Sequence, residues 1–211
     1  MLFNDREGFV KALNGVYIEL NTNELYGRNL TAGALDVMGQ YYSVASSSHA
    51  FYNYGGLVYT GNDEKALFDN MWQKCYAVIA CCNTIIEKCD ENKAGLSPVW
   101  KGAIKGEALA LRAMLHFDML RLFGPLTSEL DKESIPYQTN SDQTVTPLLS
   151  GSEVVGLILD DLKNAVGLLK DTDPYFVEEE FSDTDLNYRR FRMNYFAAKG
   201  LMARVQLWGG R

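Results

Sequence analysis

The sequence predicts a mainly α-helical protein. Several long segments place apolar residues three and four positions apart, a spacing that aligns them on one face of a helix. Residues that commonly start or stop helices flank these segments. No stretch alternates apolar and polar residues for long enough to predict more than a short β-hairpin. With 47% hydrophobic and 22% charged residues among 211, the chain has the composition of a globular protein with a buried core.

The first helix is predicted near the amino terminus. Asn4 and Glu7 have the spacing of a capping box. Four apolar residues follow at helical spacing: Phe9, Leu13, Val16 and Leu20. The chain starts inside this helical pattern, without a basic region followed by a hydrophobic one, so we expect it to be a piece of a longer protein.

Two long antiparallel helices joined by a short turn are predicted next. Gly95 lies where the chain must turn, and Ser97 and Pro98 suit the N-cap and the first residue of a helix. We expect that helix to end at Gly124 in the left-handed conformation, because Pro125 cannot continue it. The apolar face of the earlier helix consists of Phe68, Trp72, Cys75, Ile79, Cys82 and Ile86, and that of the later one of Trp100, Ile104, Ala108, Leu111, Leu115 and Leu122.

A long connection separates these helices from two more. Residues 126–149 are polar and aperiodic, and Ser150 and Glu153 then have capping-box spacing. The helix that follows carries Val155, Ile158, Leu162, Ala165 and Leu169 on one face. In the last helix, we expect small residues to permit close packing and large ones to fill the gaps. The small residues are Ala197, Ala198, Gly200 and Ala203, and the large ones are Phe196, Leu201, Leu207 and Trp208.

The charge and the cysteines exclude several functions. A net charge of -7 with scattered basic residues argues against a nucleic-acid partner. No apolar run approaches the ~20 residues of a membrane-spanning helix. All four cysteines lie between Cys75 and Cys89 on one predicted helix, where we expect buried small hydrophobic residues rather than disulfides or metal ligands. The acidic residues from Asp171 to Asp185 could ligate Ca²⁺ but lack the spacing of a calcium motif. We therefore expect a solvated loop there, and no cofactor.

Nothing in the sequence predicts an enzyme. The chain lacks the GxSxG, HExxH, phosphate-loop and dinucleotide-binding motifs. His116 and Asp118 are two positions apart on a predicted helix and do not share a face, while Asp160 and Asp161 are adjacent and point apart. We expect no catalytic residues. The charges along this helix have a structural explanation instead, because a charge near a core must be paired. We expect Glu107 and Arg112 to form ion pairs that fix helix register, with Arg204 as the partner of Glu107.

An irregular segment, residues 27–60, is rich in glycine and aromatic residues and poor in charge. We predict ligand contacts at Tyr41, Tyr42, Tyr52 and Tyr54. Flat rings with hydroxyl tips suit stacking on sugar rings or clamping a peptide. The same segment could instead fold down as a cover over the helices, and the sequence leaves that alternative open.

Five blocks of the sequence, in order, are "WQKCYAVIACCNTII", "KGEALALRAMLHFDMLRLFGP", "IPY", "LDDLKNAVGLL" and "RMNYFAAKGLMARVQLWGG". In order and spacing they resemble the amino-terminal half of SusD-like (RagB/SusD) nutrient-binding outer-membrane proteins. The resemblance implies a tetratricopeptide-like helix-turn-helix scaffold, the SusD-like α-α superhelix, with long irregular loops. It also implies that residues 1–211 form a single amino-terminal helical domain excised from a longer protein.

The function that this resemblance implies is non-catalytic capture of glycans or other nutrients. Family members are lipid-anchored on the external face of the outer membrane and work with a SusC-like TonB-dependent barrel. The signal peptide and lipidated cysteine of such proteins are absent from this chain. The alternative from a different class is a self-contained tetratricopeptide-like adaptor that binds other proteins through a concave face.

Overall fold

The computed structural model describes residues 2–142, 144–177, 181 and 189–210. The described residues form seven α-helices and no β-strand, apart from one isolated bridge between Glu133 and Ser150. The helices are α1 (Arg6–Leu20), α2 (Ala34–Met38), α3 (Tyr52–Gly55), α4 (Asn62–Glu91), α5 (Pro98–Phe123), α6 (Gly151–Thr172) and α7 (Tyr195–Trp208). Short 3-10 turns occur at Leu2–Asn4, Thr127–Glu129 and Arg189–Phe191. The predicted fold class, mainly α with long irregular connections, is confirmed.

The chain divides into two compact units. One, which we call the scaffold unit, comprises the residues up to Asn14 and from Ile79 onward. The other, which we call the aromatic unit, is Gly15–Val78. Each is described by itself below.

The helix ends match the predicted capping residues in two cases and differ in two. Ser97 caps α5 and Ser150 forms the predicted capping box with Glu153 at the start of α6. At α1, however, Asp5 and not Asn4 accepts a hydrogen bond from the third residue of the helix, Gly8, at 2.8 Å. Gly124 is extended (φ -86°, ψ 178°) rather than left-handed. A Cβ at position 124 would collide with the Leu120 carbonyl oxygen. Glycine is therefore required because the backbone passes close to Leu120, and not because the chain adopts a left-handed turn.

In the scaffold unit, α5 packs antiparallel to the part of α4 that follows Val78, and α6 packs antiparallel to α5. Lys105 of α5 donates a hydrogen bond to Asp90 of α4 at 2.5 Å, and Arg112 of α5 donates one to Asn83 of α4 at 2.8 Å. The later residue of α5 thus contacts the earlier residue of α4, so the two helices run in opposite directions. Gly106 permits the close approach of α6, because a Cβ there would lie 2.8 Å from Leu169. The predicted pair of long antiparallel helices joined by a short turn is therefore present, with Gly95 left-handed (φ +66°) in the turn.

Arg112 is the centre of a buried polar network in the scaffold unit. Its guanidinium donates two hydrogen bonds to the Asp161 carboxylate, at 2.7 and 2.6 Å, and one to Asn83 at 2.8 Å. The Tyr137 hydroxyl donates to the same carboxylate at 2.5 Å. Since charges buried without partners are costly, these bonds explain how an arginine only 6% exposed is tolerated. Arg112 thus forms an ion pair between helices.

His116 and Asn83 attach the long connection to the helices. The His116 Nδ1 lies 3.0 Å from the Arg112 carbonyl oxygen, and its Nε2 accepts a hydrogen bond from the Gln138 backbone at 3.0 Å. Its ring stacks on Tyr137 at 3.9 Å between centroids. Burial lowers the pKa of His116 to about 3, so the imidazole is neutral. Asn83 donates to the carbonyl oxygens of Gln138 and Asn140. The connection is therefore fixed by buried helix side chains.

Glu107 has different partners from the one predicted. Its carboxylate pairs with Arg189 and with Arg192, the latter at 2.8 Å. Arg189 also pairs at 2.6 Å with Asp173, which is fully buried. The guanidinium of Arg204 instead lies 5.9 Å from the Phe117 ring centre, ten residues further along α5. A helix rises about 1.5 Å per residue, so Arg204 is too far from Glu107 to be its ion-pair partner, and that pairing was wrong.

Helix α7 buries one face and exposes the other. Ala198, Leu201 and Val205 are buried, and Trp208 packs edge-to-face on Phe117 at 5.6 Å between centroids. Phe196 and Leu207, predicted to fill gaps, are 59% and 84% exposed. Gly200 and Ala203 are exposed as well. Only part of the predicted packing of this helix therefore occurs in the scaffold unit.

Three of the four cysteines, Cys75, Cys82 and Cys89, are buried, as predicted, but Cys81 is exposed. Burial raises the pKa of Cys82 and of Cys89 to about 12, which keeps these thiols protonated and unreactive. Among the described residues, no group of three or more His, Cys, Asp or Glu side chains could hold a metal ion. Much of the predicted acidic loop, residues 178–180 and 182–185, lies outside the described residues. No helix in the described part is long and apolar enough to cross a membrane.

Candidate ligand-binding surface

The predicted ligand residues lie in the aromatic unit, where no charged residue occurs between Asp36 and Asp63. Two short helices, α2 at the start of this stretch and α3 within it, share a small core of Ala34, Val37 and Tyr54. Edge-to-face aromatic contacts continue this core, from Phe51 to Tyr54 at 5.8 Å and from Tyr54 to Phe68 at 6.0 Å between ring centroids. A segment predicted to be irregular is therefore anchored by its own aromatic core.

Tyr54 belongs to this core and does not face solvent. It is 2% exposed, and its hydroxyl lies 3.5 Å from the Asp63 carbonyl oxygen. Burial, with the nearby Glu64 and Asp63, raises the pKa of its hydroxyl. The prediction of Tyr54 as a ligand contact was wrong, because Tyr52 and Tyr54 are two positions apart on α3 and so point to different sides of the helix.

Each of the two short helices ends in a cap with a left-handed residue that is not glycine. Gln40 (φ +61°) follows α2, and the Tyr41 N–H donates to the Asp36 carbonyl at 2.9 Å. Leu57 (φ +55°) follows α3, and the Val58 N–H donates to the Asn53 carbonyl at 2.9 Å. Both patterns are Schellman motifs, which reverse the chain sharply. The caps direct the residues after α2 and α3 to the surface.

Three of the predicted tyrosines are exposed: Tyr41 at 79%, Tyr42 at 54% and Tyr52 at 42%. We call these three residues the tyrosine surface. The Gln40 side chain donates to the Gly55 carbonyl at 3.0 Å, which ties the residue before Tyr41 to the helix that carries Tyr52. Asn53 in turn donates to Glu64, at 2.7 Å, near the start of α4. The loop with Tyr41 and Tyr42 is thus held beside α3 by side-chain hydrogen bonds.

Other residues of this segment take different positions. His49 is exposed, and its Nδ1 accepts a hydrogen bond from the Phe51 backbone at 3.1 Å. Tyr59 is half-buried against Phe68, 5.4 Å away between ring centroids. Leu57 and Val58 are 58% and 47% exposed. These two aliphatic residues could not be identified from sequence, because nothing in their local pattern distinguishes an exposed apolar residue from a core one.

The chemistry of the tyrosine surface suits binding and not catalysis. An exposed tyrosine offers an apolar ring face and a hydroxyl that can donate and accept hydrogen bonds. Asp36 and Asp63 are the first carboxylates on either side of this stretch in the sequence. The surface therefore provides stacking and neutral hydrogen bonding, the means by which a protein holds an uncharged polar ligand with flat apolar faces.

The scaffold unit contains an open cleft among α4, α5 and α6, with a volume of about 940 Å³ including open solvent. The buried Arg112–Asp161 pair lies at its lining, together with Lys105 and Lys163. Each of these charges has an ion-pair partner, Asp90 for Lys105 and Asp160 for Lys163. The cleft therefore offers a ligand few charges that are not already paired.

Comparison with known proteins identifies the family. Residues 10–207 match a SusD-like family model described as "Starch-binding associating with outer membrane". The chain belongs to the SusD-like family. The SusD-like match spans nearly the whole chain, so both compact units fall within it.

SusD-like relatives include proteins of Bacteroides ovatus and Formosa agariphila. A SusD-like protein of Bacteroides ovatus is 30% identical over 146 residues, which are 67% of this chain and 23% of the relative. SusD-like protein P38 of Formosa agariphila is 34% identical over 96 residues, or 44% of this chain and 17% of the relative. The matched regions are thus less than a quarter of either relative's length.

Solved structures of SusD-like proteins have the same fold. A SusD-like carbohydrate binding protein from Bacteroides vulgatus aligns over 98% of this chain with a TM-score of 0.76 and 23% identity. A putative sugar binding protein from the same species aligns over 98% with a TM-score of 0.73 and 22% identity. The chain covers 42% and 43% of these two proteins. At such identity the likeness shows the fold alone.

Proposed function

We propose that this chain is the amino-terminal helical domain of a longer, non-catalytic nutrient-capture protein that binds glycans or oligosaccharides through the tyrosine surface. One observation carries the proposal. Tyr41, Tyr42 and Tyr52 are exposed on a stretch without charged residues, in a member of a family described as starch-binding. Sugars present flat faces of C–H groups edged with hydroxyls, and exposed tyrosines complement both features.

The proposed setting is an outer-membrane uptake system. The family description includes association with the outer membrane. In our proposal the longer protein is lipid-anchored on the external face of that membrane and passes its ligand to a SusC-like TonB-dependent barrel. Its own role is to raise the local concentration of ligand at the barrel, for which binding suffices without bond cleavage.

Affinity electrophoresis in gels that contain soluble starch, followed by an oligosaccharide array, tests the binding proposal. Retardation of the wild-type protein by at least one glycan is expected. Replacing Tyr41, Tyr42 and Tyr52 by alanine should weaken it by about tenfold or more, since one aromatic contact contributes roughly 1 kcal/mol. Phe191→Ala is the matched control, because Phe191 is 69% exposed but belongs to the scaffold unit.

Two results would count against this function. Equal weakening by Phe191→Ala would show that retardation does not depend on the tyrosine surface, and shortened oligosaccharide products would show catalysis. The partner is tested separately, by purifying the tagged full-length protein from detergent-solubilised outer membranes of its native host. Recovery of a TonB-dependent barrel supports the uptake system, whereas recovery from the soluble fraction with other proteins would favour an adaptor.

A further inference from the structure

A strained backbone position directly precedes the first residue of the tyrosine surface. Gln40 is left-handed (φ +61°), a conformation that is unfavourable for a residue with a Cβ and that glycine adopts freely. The chain has a glycine one position earlier, but Gly39 has an ordinary backbone conformation (φ -72°, ψ 0°). The glycine of this helix end is therefore not at the position where a Schellman motif favours it. Strain that persists at such a position commonly serves a function.

The side chain of Gln40 connects the two short helices of the aromatic unit. Its amide nitrogen donates to the Gly55 carbonyl oxygen of α3 at 3.0 Å and lies 3.4 Å from the Val37 carbonyl oxygen of α2. A glycine at position 40 would remove both contacts. The bond to Gly55 joins the residue before Tyr41 to the helix that carries Tyr52, so it constrains the distance between two members of the tyrosine surface.

Gly39 makes room for the ring of Tyr41. A Cβ at position 39 would lie 3.1 Å from two carbon atoms of that ring, which is closer than an ordinary van der Waals contact. The ring therefore lies against the Gly39 backbone, although Tyr41 is 79% exposed. A side chain at position 39 would displace the ring from this position.

The end of α3 has the same backbone geometry without these contacts. Gly56 (φ -87°, ψ 3°) precedes the left-handed Leu57. A Cβ at Gly56 would lie 3.6 Å from the nearest atom, the Asn53 carbonyl oxygen, so a side chain there would fit. The Leu57 side chain is 58% exposed and has no group that donates a hydrogen bond. Of the two helix ends, the first therefore holds a tyrosine ring and an amide bridge, and the second holds neither.

We propose that Gly39 and Gln40 are positioning residues for glycan binding, which hold Tyr41 as a preformed platform beside Tyr52. This inference rests on the proposed function, because it assigns both residues to the same binding surface. A ring that is already oriented loses little conformational freedom when a sugar stacks on it, so preorganisation raises affinity. The chain thus gives up some stability at this helix end, where glycine at position 40 would be the more stable choice, and gains affinity for its ligand.

A double variant of the complete protein, Gly39→Ala with Gln40→Gly, tests the proposal. We call it the α2 exchange. It puts glycine at the left-handed position, removes the amide bridge and displaces the Tyr41 ring. It should unfold at the same or a higher urea concentration than the wild type, because both new residues suit their backbone conformations. In gels that contain soluble starch, or the array glycan that the wild type binds, its affinity should nevertheless fall by about fivefold or more.

Gly56→Ala with Leu57→Gly, the α3 exchange, is the matched control. It should also keep or raise the urea midpoint, but it should change the affinity by less than about twofold. Fluorotyrosine at position 41 gives a second readout, which needs no glycan. Its fluorine resonance should move toward that of a free peptide in the α2 exchange and stay in place in the α3 exchange, because only the first releases the ring.

Several results would overturn the inference. A lower urea midpoint together with weaker binding would show a merely structural role, and equal weakening by the α3 exchange would show that the amide bridge and the ring contact are not the cause. Combined with Tyr41→Ala, the α2 exchange should weaken binding little further. A full additional loss would mean that Gln40 contacts the sugar itself.

Failure of this inference is distinct from failure of the proposed function. A wild-type protein that binds neither starch nor any array glycan would overturn the proposed function, and this inference with it. A wild type that binds a glycan, with an α2 exchange of the same affinity, would overturn this inference alone.

Discussion

His116 makes the stability of the scaffold unit depend on pH. The ring is fully buried, and each of its nitrogens lies within hydrogen-bonding distance of a backbone atom. Burial is the main cause that lowers its pKa to about 3, and the positive charge of Arg112 acts in the same direction. The unfolded chain, with a histidine pKa near 6.5, binds the proton more readily. Stability is therefore complete above pH ~6.5 and falls as the pH drops toward 3.

We predict that His116→Gln flattens this dependence. In the wild-type protein, a change from pH 7 to pH 5 should remove about 2 kcal/mol of unfolding free energy through His116, at ~1.4 kcal/mol per pH unit below 6.5. The variant should lose correspondingly less over the same range, although its stability at pH 7 is lower. Urea denaturation at the two pH values measures the difference.

His49→Gln provides the control for this measurement, because His49 is the other histidine and is exposed. It should leave the pH dependence as in the wild type. If His116→Gln retained the full loss between pH 7 and pH 5, the neutral buried imidazole would not be its source.

Leu57 is a left-handed residue without the conformational freedom of glycine. Its φ of +55° is unfavourable for a side chain with a Cβ. Leu57→Gly should therefore stabilise the aromatic unit by about 0.5–1 kcal/mol, the relief of strain being partly offset by the greater entropy of the unfolded chain. Thermal or urea denaturation checks this. Leu126→Gly, at an exposed leucine with φ -60°, should stabilise nothing, and equal gains at both positions would contradict the explanation.

At the scale of elements, buried ion pairs hold the helices and connections of the scaffold unit in register. Arg112 joins α5 to α6 through Asp161, and Glu107 joins α5 to the turn with Arg189 and Arg192. In each case an arginine supplies several donors in fixed geometry, which a lysine could not reproduce. The helices themselves are specified by their apolar faces, and these pairs specify how they are aligned.

We predict that Asp161→Asn costs about 3–5 kcal/mol of unfolding free energy, because it leaves the Arg112 guanidinium buried without a counter-charge. The adjacent Asp160→Asn is the matched control. Asp160 pairs with Lys163 in solvent, with both side chains 64% exposed, and its loss should change stability by less than about 1 kcal/mol. Urea denaturation measures the unfolding free energy of both variants. Similar losses would mean that the buried ion pair stabilises the protein no more than the surface ion pair does.

The long helices could be predicted from sequence because their signals are local. The apolar faces of α4, α5 and α6, and the caps at Ser97 and Ser150, depend on residues within a few positions of one another. The partner of Glu107 could not be predicted, since Arg189 lies 82 residues away in a short 3-10 turn without periodicity. Likewise Tyr52 and Tyr54 could be told apart only once α3 was known, because its four residues are too few to show a period.

At the scale of the whole molecule, the two units differ in how many of their residues are buried. Eighteen of the 26 residues of α5 are buried, whereas nearly all residues from Gly39 to Ala50 are exposed. Local opening requires little free energy where few apolar contacts must break.

We therefore predict that amide hydrogen exchange is slowest in α5 and fastest in residues 39–50, as measured by mass spectrometry. Addition of a bound oligosaccharide should slow exchange in residues 39–58 and leave α5 unchanged. Protection that appeared only in α5 and α6 would instead place the ligand in the cleft of the scaffold unit.

The exposure of the tyrosine surface has a consequence for how such a protein can evolve. Tyr41, Tyr42 and Tyr52 are all exposed and lie outside the aromatic core, so a substitution at each should alter stability by only about 0.5 kcal/mol. The contacts that anchor the segment, from Gln40 to Gly55 and from Tyr54 to Phe68, involve other residues. Single mutations on this surface could therefore change the ligand preference without loss of folding. Variants that bind a new sugar could arise among mutations that the fold already tolerates.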